Sequence, residues 1–377
     1  GDELLRFGNP TQGSELCTAV EMMFSLEKML EITGDVQWAD HLEKVAYNVL
    51  PTQIKDDFSA RQYYQQVNQI AITCEGRNFV SPHEDTDIVF GELSGYPCCT
   101  SNLHQGWPKF TRHLWFATAD NGIASLIYAP SEVTAQVGND ITVKIAEKTD
   151  YPFEEKIDFN LSFPSKKDKK AFFPFHLRIP AWCNNPVITI NGEAVSIAAH
   201  SGEIVRINRE WKDGDEVVLN LPMEYAVRQW QVNKNSVSVD YGPLTLSLKI
   251  EEEYKQMPST ETAVWDSKWQ EGADASAWPT FEILPASPWN YALRVQSPIT
   301  LQRRNWPSDN NPFTLSSVPM EFKAQGRLVP EWKIDEYGLC GVLPYENARK
   351  SDCLDEITLV PMGAARLRIS AFPVAER

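Results

Sequence analysis

The chain has 377 residues, 42% of them hydrophobic and 11% aromatic, which is enough apolar material for two or three cored domains and too much for a disordered polymer. Thirty-five basic residues against 51 acidic ones leave a net charge of −16, and the one basic run, Lys166 to Lys170, reads as a solvated loop; the sign argues against a nucleic-acid partner. No apolar stretch reaches the roughly 18–20 residues that span a bilayer, so no membrane partner is expected, and the start "GDELLRFGNP" has neither the basic end nor the apolar core of a secretion signal.

In chain order, "SELCTAVEMMFSLEKMLEIT" from Ser14 to Thr33 spaces Leu16, Val20, Met23, Phe24, Leu26 and Leu30 at close to helical period, with Gly34 as a stop. This predicts an amphipathic helix capped by Ser14, with Glu21, Glu27 and Glu31 on its outward face. "VQWADHLEKVAYNVLP" predicts a second helix, antiparallel to the first and ended by Pro51. The stretch to Pro97 is less regular, with a strand pair expected around Tyr63 to Thr73. "TSNLHQGWPKFTRHLW" predicts a third helix, capped by Thr100 or Ser101 and deformed at Gly106 and Pro108.

After about Thr118 the period falls to two. "IASLIYA", "DITVKIAEK", "KIDFNLSF", "FHLRIPAW", "VITINGEAVSI", "EIVRINREW" and "DEVVLNLP" alternate inward and outward residues between Gly-, Asn- and Asp-rich turns, the pattern of a β-sandwich. A further β-rich block contains "NSVSVDYGPLTLSLKI", "NYALRVQ" and "DEITLVPMGAARLRISAFP", with an irregular region near Met257 to Trp289 and a boundary near Tyr225. Trp182 and Trp211 fall at sandwich positions and read as core rather than as sugar-stacking groups.

Seven cysteines, an odd number without a regular framework, do not make a disulfide scaffold. The informative ones are Cys17, near the start of the first helix beside Glu15, and the adjacent Cys98 and Cys99 of "GYPCCTSN", which immediately precede the third. Neighbouring cysteines do not meet disulfide geometry with each other. A helix N-terminus favours thiolate, and three thiolates in one place require a cation, for which Zn²⁺ with a fourth ligand such as Glu15 is economical. One geometric objection is that i and i+2 side chains point about 200° apart on a helix, so Glu15 and Cys17 can share a metal only at an irregular first turn. The alternative takes Cys17 as a small buried helix residue, Glu15 as a favourable N-terminal charge and the Cys pair as structural. His83 and His104 lie near the pair in sequence, Asn102 is placed to orient its loop, and Tyr63, Tyr64 and Gln66 could face a saccharide or simply alternate in a strand.

"GDE", "NPTQGSELCTAVEMMFSLEKMLEITGD", "AYNVLPTQ", "YPCCTSNLHQGWPKF", "LRIPAW", "GPL" and "LVPMGAARLRISAFP" together resemble, in order and over nearly the whole chain, glycoside hydrolase family 127, the β-L-arabinofuranosidases and related enzymes. The resemblance implies the C-terminal part of an (α/α)6-barrel catalytic domain over residues 1–118, followed by antiparallel β-sandwich domains over 119–225 and 226–377. It implies a zinc site of Glu15, Cys17, Cys98 and Cys99, with Cys98 also the nucleophile of a retaining mechanism. Glu3 is then the acid/base, with Asp2 as the competing carboxylate. The expected substrate is an oligosaccharide or glycan bearing terminal L-arabinofuranose or a related sugar of plant cell walls, which favours a periplasmic or secreted location. Upstream barrel helices would precede Gly1, so the missing N-terminal half of the barrel and a second copy in a homodimer are the expected protein partners. The competing class is a non-catalytic, carbohydrate- or partner-binding β-sandwich fragment with a structural zinc. Glu3 with Cys98 separates the two, since a binding module has no use for a carboxylate facing a zinc-held thiolate.

Overall fold

The computed structural model describes residues 9–78, 82–264 and 267–375, the side chains of residues 78, 82 and 83 excepted. The chain divides into two compact units, one of residues 1–21, 45–106 and 225–377 and the other of 22–44 and 107–224.

The helices depart from expectation mainly at their ends. Helix α1 is Leu16–Thr33; Ser14 does not cap it, because Ser14–Glu15 is a short strand antiparallel to Tyr64–Gln65. Helix α2 is Val36–Lys44, after which Val45–Val49 widens into a π-helical turn and Pro51–Gln53 closes as a 3₁₀ turn, so the expected single helix to Pro51 is three segments. Helix α3 is Cys98–Arg112 and runs through Pro108. The Pro97 carbonyl accepts from the amides of Thr100 (3.1 Å) and Ser101 (3.5 Å), so Thr100 and Ser101 are interior rather than capping residues.

In the first unit, Gly106 lets α3 approach closely, since a Cβ there would stand 2.8 Å from Leu50 Cδ2. The expected strand pair near Tyr63 to Thr73 does not form with itself: Tyr64–Gln65 pairs with Ser14–Glu15, and Asn68–Gln69 pairs with Arg368–Ile369. Gln62, Gln65, Gln66, Asn68 and Gln69 are buried, and buried amides need partners. Arg368, also buried, donates to Gln65 Oε1 and the Gln66 carbonyl at 2.6 Å each, and Asn68 exchanges bonds with the backbone of Ser370 and Ala371. The rest of this unit is a seven-stranded antiparallel sheet ordered Tyr225–Trp230, Ser236–Tyr241, Leu244–Leu248, Asp355–Pro361, Met320–Leu328 and Tyr291–Leu293, with Thr300–Arg303 also on Met320–Leu328. A hairpin of Glu252–Met257 and Thr280–Pro285 encloses the irregular segment and bridges back to Ile72 and Phe90.

The second unit contains a β-sandwich. A six-stranded sheet, ordered Glu193–Ala194, Val187–Ile190, Glu216–Asn220, Lys156–Ser162, Ile141–Thr149 and Ser131–Val137, faces a four-stranded one of Ile204–Lys212, Lys170–Arg178, Ile123–Ser125 and Trp115–Ala117. Phe159 from one sheet and Phe175 from the other meet edge-to-face at 5.3 Å, and Trp211, fully buried, packs on Phe175 and donates to the Phe173 carbonyl. Residues 166–170 are exposed, as a solvated basic run should be. Glu27 contradicts the outward assignment: it is fully buried, with His113 Nδ1 3.0 Å from its carboxylate, whereas Glu21 and Glu31 are exposed.

Candidate functional site

Four side chains separated by up to 84 positions converge within the first unit. The ligand atoms of Glu15, Cys17, Cys98 and Cys99 all lie within 4.8 Å of one another. The strand at Ser14–Glu15 removes the helical objection to this set: Glu15 is extended and in register with Tyr64, the Leu16 amide donates to the Tyr63 carbonyl (3.0 Å), and only then does α1 begin. Glu15 and Cys17 therefore straddle a strand-to-helix junction and are not bound to the 200° divergence of two helical residues. Cys98 and Cys99 are the first two residues of α3, which begins with them rather than after them as expected.

The Cys17 sulfur is 3.2 Å from both Cys98 Sγ and Cys99 Sγ, while the adjacent pair is 4.0 Å apart. These are not disulfides, whose sulfurs sit at about 2.05 Å. Glu15 Oε1 is 3.3 Å from Cys98 Sγ and 3.8 Å from Cys99 Sγ. A tetrahedral zinc site with Zn–S near 2.3 Å has S···S edges of roughly 3.8 Å and S···O edges of roughly 3.5 Å. Donor type, donor number and spacing thus fit a soft divalent ion.

The electrostatics point the same way. Hydrogen bonds, first from the Cys99 thiol and then from the Asn102 amide, hold the Cys17 thiol down at about 7 against the opposing effect of burial. Burial, then the bond to Cys17, pushes Cys98 up to about 12, and Cys99 is raised as the donor to Cys17. Cys17 is therefore the sulfur of the cluster that ionises most readily, while Cys98 and Cys99 favour the protonated form; a cation is required for all three to ionise together. Cys99 is fully buried, whereas Cys98 and Cys17 are partly exposed. Asn102 Nδ2 donates to Cys17 Sγ at 3.0 Å, and its Oδ1 accepts from Gln105. Asn102 thus anchors the Cys17 sulfur rather than merely its loop.

Of the remaining expected residues, Glu3 and Asp2 lie outside the described residues, as does the His83 side chain. His104 is exposed with Nδ1 3.4 Å from the Thr100 carbonyl, a helix-surface arrangement. Tyr64 and Gln66 are buried; Tyr63 is the partly exposed one of that group, and burial, then Glu15, holds its phenol protonated. Arg61 gave no signal beyond one basic residue in a polar run. It is fully buried and donates to Thr100 Oγ1 (3.0 Å) and to the carbonyls of Ser94 (2.6 Å), Glu92 (3.2 Å) and Tyr96 (3.4 Å).

Comparison with known proteins places residues 5–112 in the catalytic domain, and 122–223 in the middle domain, described for β-L-arabinofuranosidases of glycoside hydrolase family 127. A non-reducing end β-L-arabinofuranosidase of Bifidobacterium longum subsp. longum is 25% identical over 243 residues, 63% of this chain and 35% of that protein. A solved structure described as a glycoside hydrolase superposes with a TM-score of 0.69 at 20% identity, covering 98% of this chain and 54% of its own. A GH127 β-L-arabinofuranosidase from Geobacillus stearothermophilus T6 gives 0.68 at 21% identity, with 97% and 50% coverage. The chain therefore spans about half the length of these solved relatives and about a third of the curated one.

Proposed function

The chain belongs to glycoside hydrolase family 127, and on that footing we propose that it carries the catalytic centre of a zinc-dependent retaining glycosidase that releases terminal L-arabinofuranose or a related sugar from plant cell-wall glycans. The observation that carries this reading is the convergence of Glu15, Cys17, Cys98 and Cys99, with Cys98 partly exposed and its neighbour Cys99 buried. Helices α1–α3 are, on this reading, the C-terminal part of an (α/α)6 barrel.

Zinc, when bound by these four residues, supplies the positive charge that keeps the sulfurs ionised. Cys17, anchored by Asn102, and buried Cys99 act as holding ligands. Cys98, the accessible member of the pair, attacks the anomeric carbon: a C–S bond forms as the C–O bond to the leaving group breaks. The departing oxygen takes a proton from a carboxylic acid, for which Glu3 is the candidate. The resulting carboxylate then removes a proton from water, which displaces the thiolate and yields the sugar with net retention.

The test is a zinc assay on the purified protein together with turnover of an aryl β-L-arabinofuranoside. One equivalent of zinc is expected, with retained anomeric configuration in the product. Cys98→Ser should lose at least about a thousandfold in kcat with an unchanged urea midpoint. Full turnover in that variant would sink the mechanism, and glycan binding without any turnover in the parent would favour a non-catalytic module.

A further inference from the structure

We propose that Arg61 is the positioning residue of the four-donor centre: its guanidinium clamps the Cys98–Cys99 pair from both sides and carries the charge that offsets the ionised sulfurs. The inference rests on reading the cluster as a metal centre.

The first support is geometric. Arg61 is fully buried, and its bonds bracket the pair: three go to carbonyls of the approach loop, at Glu92, Ser94 and Tyr96, and one to Thr100 Oγ1 just beyond it. A planar guanidinium holds several acceptors in one fixed arrangement. The loop so fixed also depends on Gly95, which has φ +59 and sits against Tyr63. The Cys pair therefore enters α3 with its direction already set.

The second support is charge. Among the described residues no carboxylate stands within ion-pair distance of Arg61, whose hydrogen-bond partners are a hydroxyl and three carbonyls. A buried cation without a counter-ion is costly. Burial weighs first against its charge, and the groups that favour it are Cys99, then Glu92, Cys98 and Cys17, the sulfurs doing so only when they are ionised together. Three thiolates and a carboxylate around one divalent ion leave an excess of two negative charges, and Arg61 halves it. Guanidinium and cluster thus each relieve the other's burial cost.

The experiment uses the whole chain and zinc itself. Zinc affinity is measured by competition with a chelator of known strength, and the sulfur-to-metal charge-transfer band of the cobalt-substituted protein reports thiolate ligation. Arg61→Gln should weaken zinc binding more than about tenfold and shift that band, whereas Arg61→Lys, which keeps the charge, should stay within about tenfold of the parent. A residue that only braced the fold would lower stability with and without metal alike and leave the affinity of the folded protein unchanged. Tenfold or less in Arg61→Gln, or more than tenfold in Arg61→Lys, overturns the proposal. Should Arg61→Gln fail to fold, Arg61→Lys decides by the same threshold. A parent protein that takes up no zinc overturns the metal reading and this inference with it; a parent that binds zinc no better than Arg61→Gln overturns this inference alone.

Discussion

Replacing Gly95 by alanine should damage the protein in two separable ways. The residue has φ +59, a backbone conformation that costs an L-residue roughly 1–2 kcal/mol. A Cβ there would also run into Tyr63 Cβ and lie 2.9 Å from Tyr63 Cγ, against a normal carbon contact of about 3.5–4.0 Å. Neither side can yield cheaply. The Tyr63 carbonyl accepts from the Leu16 amide beside the Glu15–Tyr64 pairing, while the Gly95 amide donates to Thr86 Oγ1 and the neighbouring Tyr96 carbonyl accepts from Arg61. Overpacking of this kind adds roughly 1–3 kcal/mol, for a total loss of about 2–5 kcal/mol. Gly272 supplies the control within the same unit: it has φ +83, but a Cβ there would meet nothing within 4 Å, so Gly272→Ala carries the conformational cost alone. Urea unfolding of both variants, with zinc competition in parallel, should show Gly95→Ala destabilised by at least about 1 kcal/mol more and weakened in zinc binding, because Glu15 and the Cys pair flank the clash. Equal losses in the two variants, with equal zinc affinity, would refute the reasoning.

Arg178→Met leaves the Glu43 carboxylate, fully buried, without its guanidinium partner, and should cost about 3–5 kcal/mol in urea unfolding; adding Glu43→Leu should recover at least half, and a loss under about 1 kcal/mol in the single variant would contradict the role given to the pair. His113 titrates above its ordinary value because of the buried Glu27 carboxylate, with exposed Glu31 3.9 Å from its Nε2 and Lys28 opposing. A raised value in the folded state means a stabilising contribution that is whole below the unfolded pKa and is lost as pH rises through the folded one. His113→Gln should therefore cost more stability near about pH 5.5 than near about pH 9, and a pH-independent loss would remove Glu27 as the cause.

Helix α1 and the sandwich strands are legible from residue patterns because each has a local signature, a 3.6 period and a 2.0 period between turn residues; the four-donor set is only suggested by cysteines beside a carboxylate or each other, and the family resemblance is what completes it. What escapes such patterns has a non-local cause. Ser14 and Glu15 read as the opening of a helix, and only their pairing with Tyr64–Gln65, some 50 positions on, makes them a strand. Glu27 sits where period alone predicts an outward charge, yet His113 near the other end of the helical segment covers it. Ser131–Val137 does not read as a strand because Val133 and Val137 are its only strongly apolar residues, its burial alternating between intermediate and exposed until buried Val137. Arg61 has no motif at all; its meaning lies in four acceptors that the fold brings to it.

The segment between the two pairs of donors explains why the site draws on both ends of the chain. Residues 61–69 are too polar to be buried on hydrophobic grounds, and each buried amide must find a partner. Arg61 turns the beginning of this segment toward the Cys pair, Tyr64–Gln65 carries Glu15, and Gln65 and Gln66 are in turn held by Arg368, with Asn68 held by the backbone of Ser370 and Ala371. Arg368 is itself fully buried and also spends donors on the carbonyls of Ala365 and Arg366, which tie it to its own turn. Glu15 is thus placed by a chain of hydrogen bonds that ends some 350 residues away in sequence. The strand at Arg368–Ile369 therefore belongs to the architecture of the four-donor cluster, which depends on it as much as on the helices that carry its sulfurs.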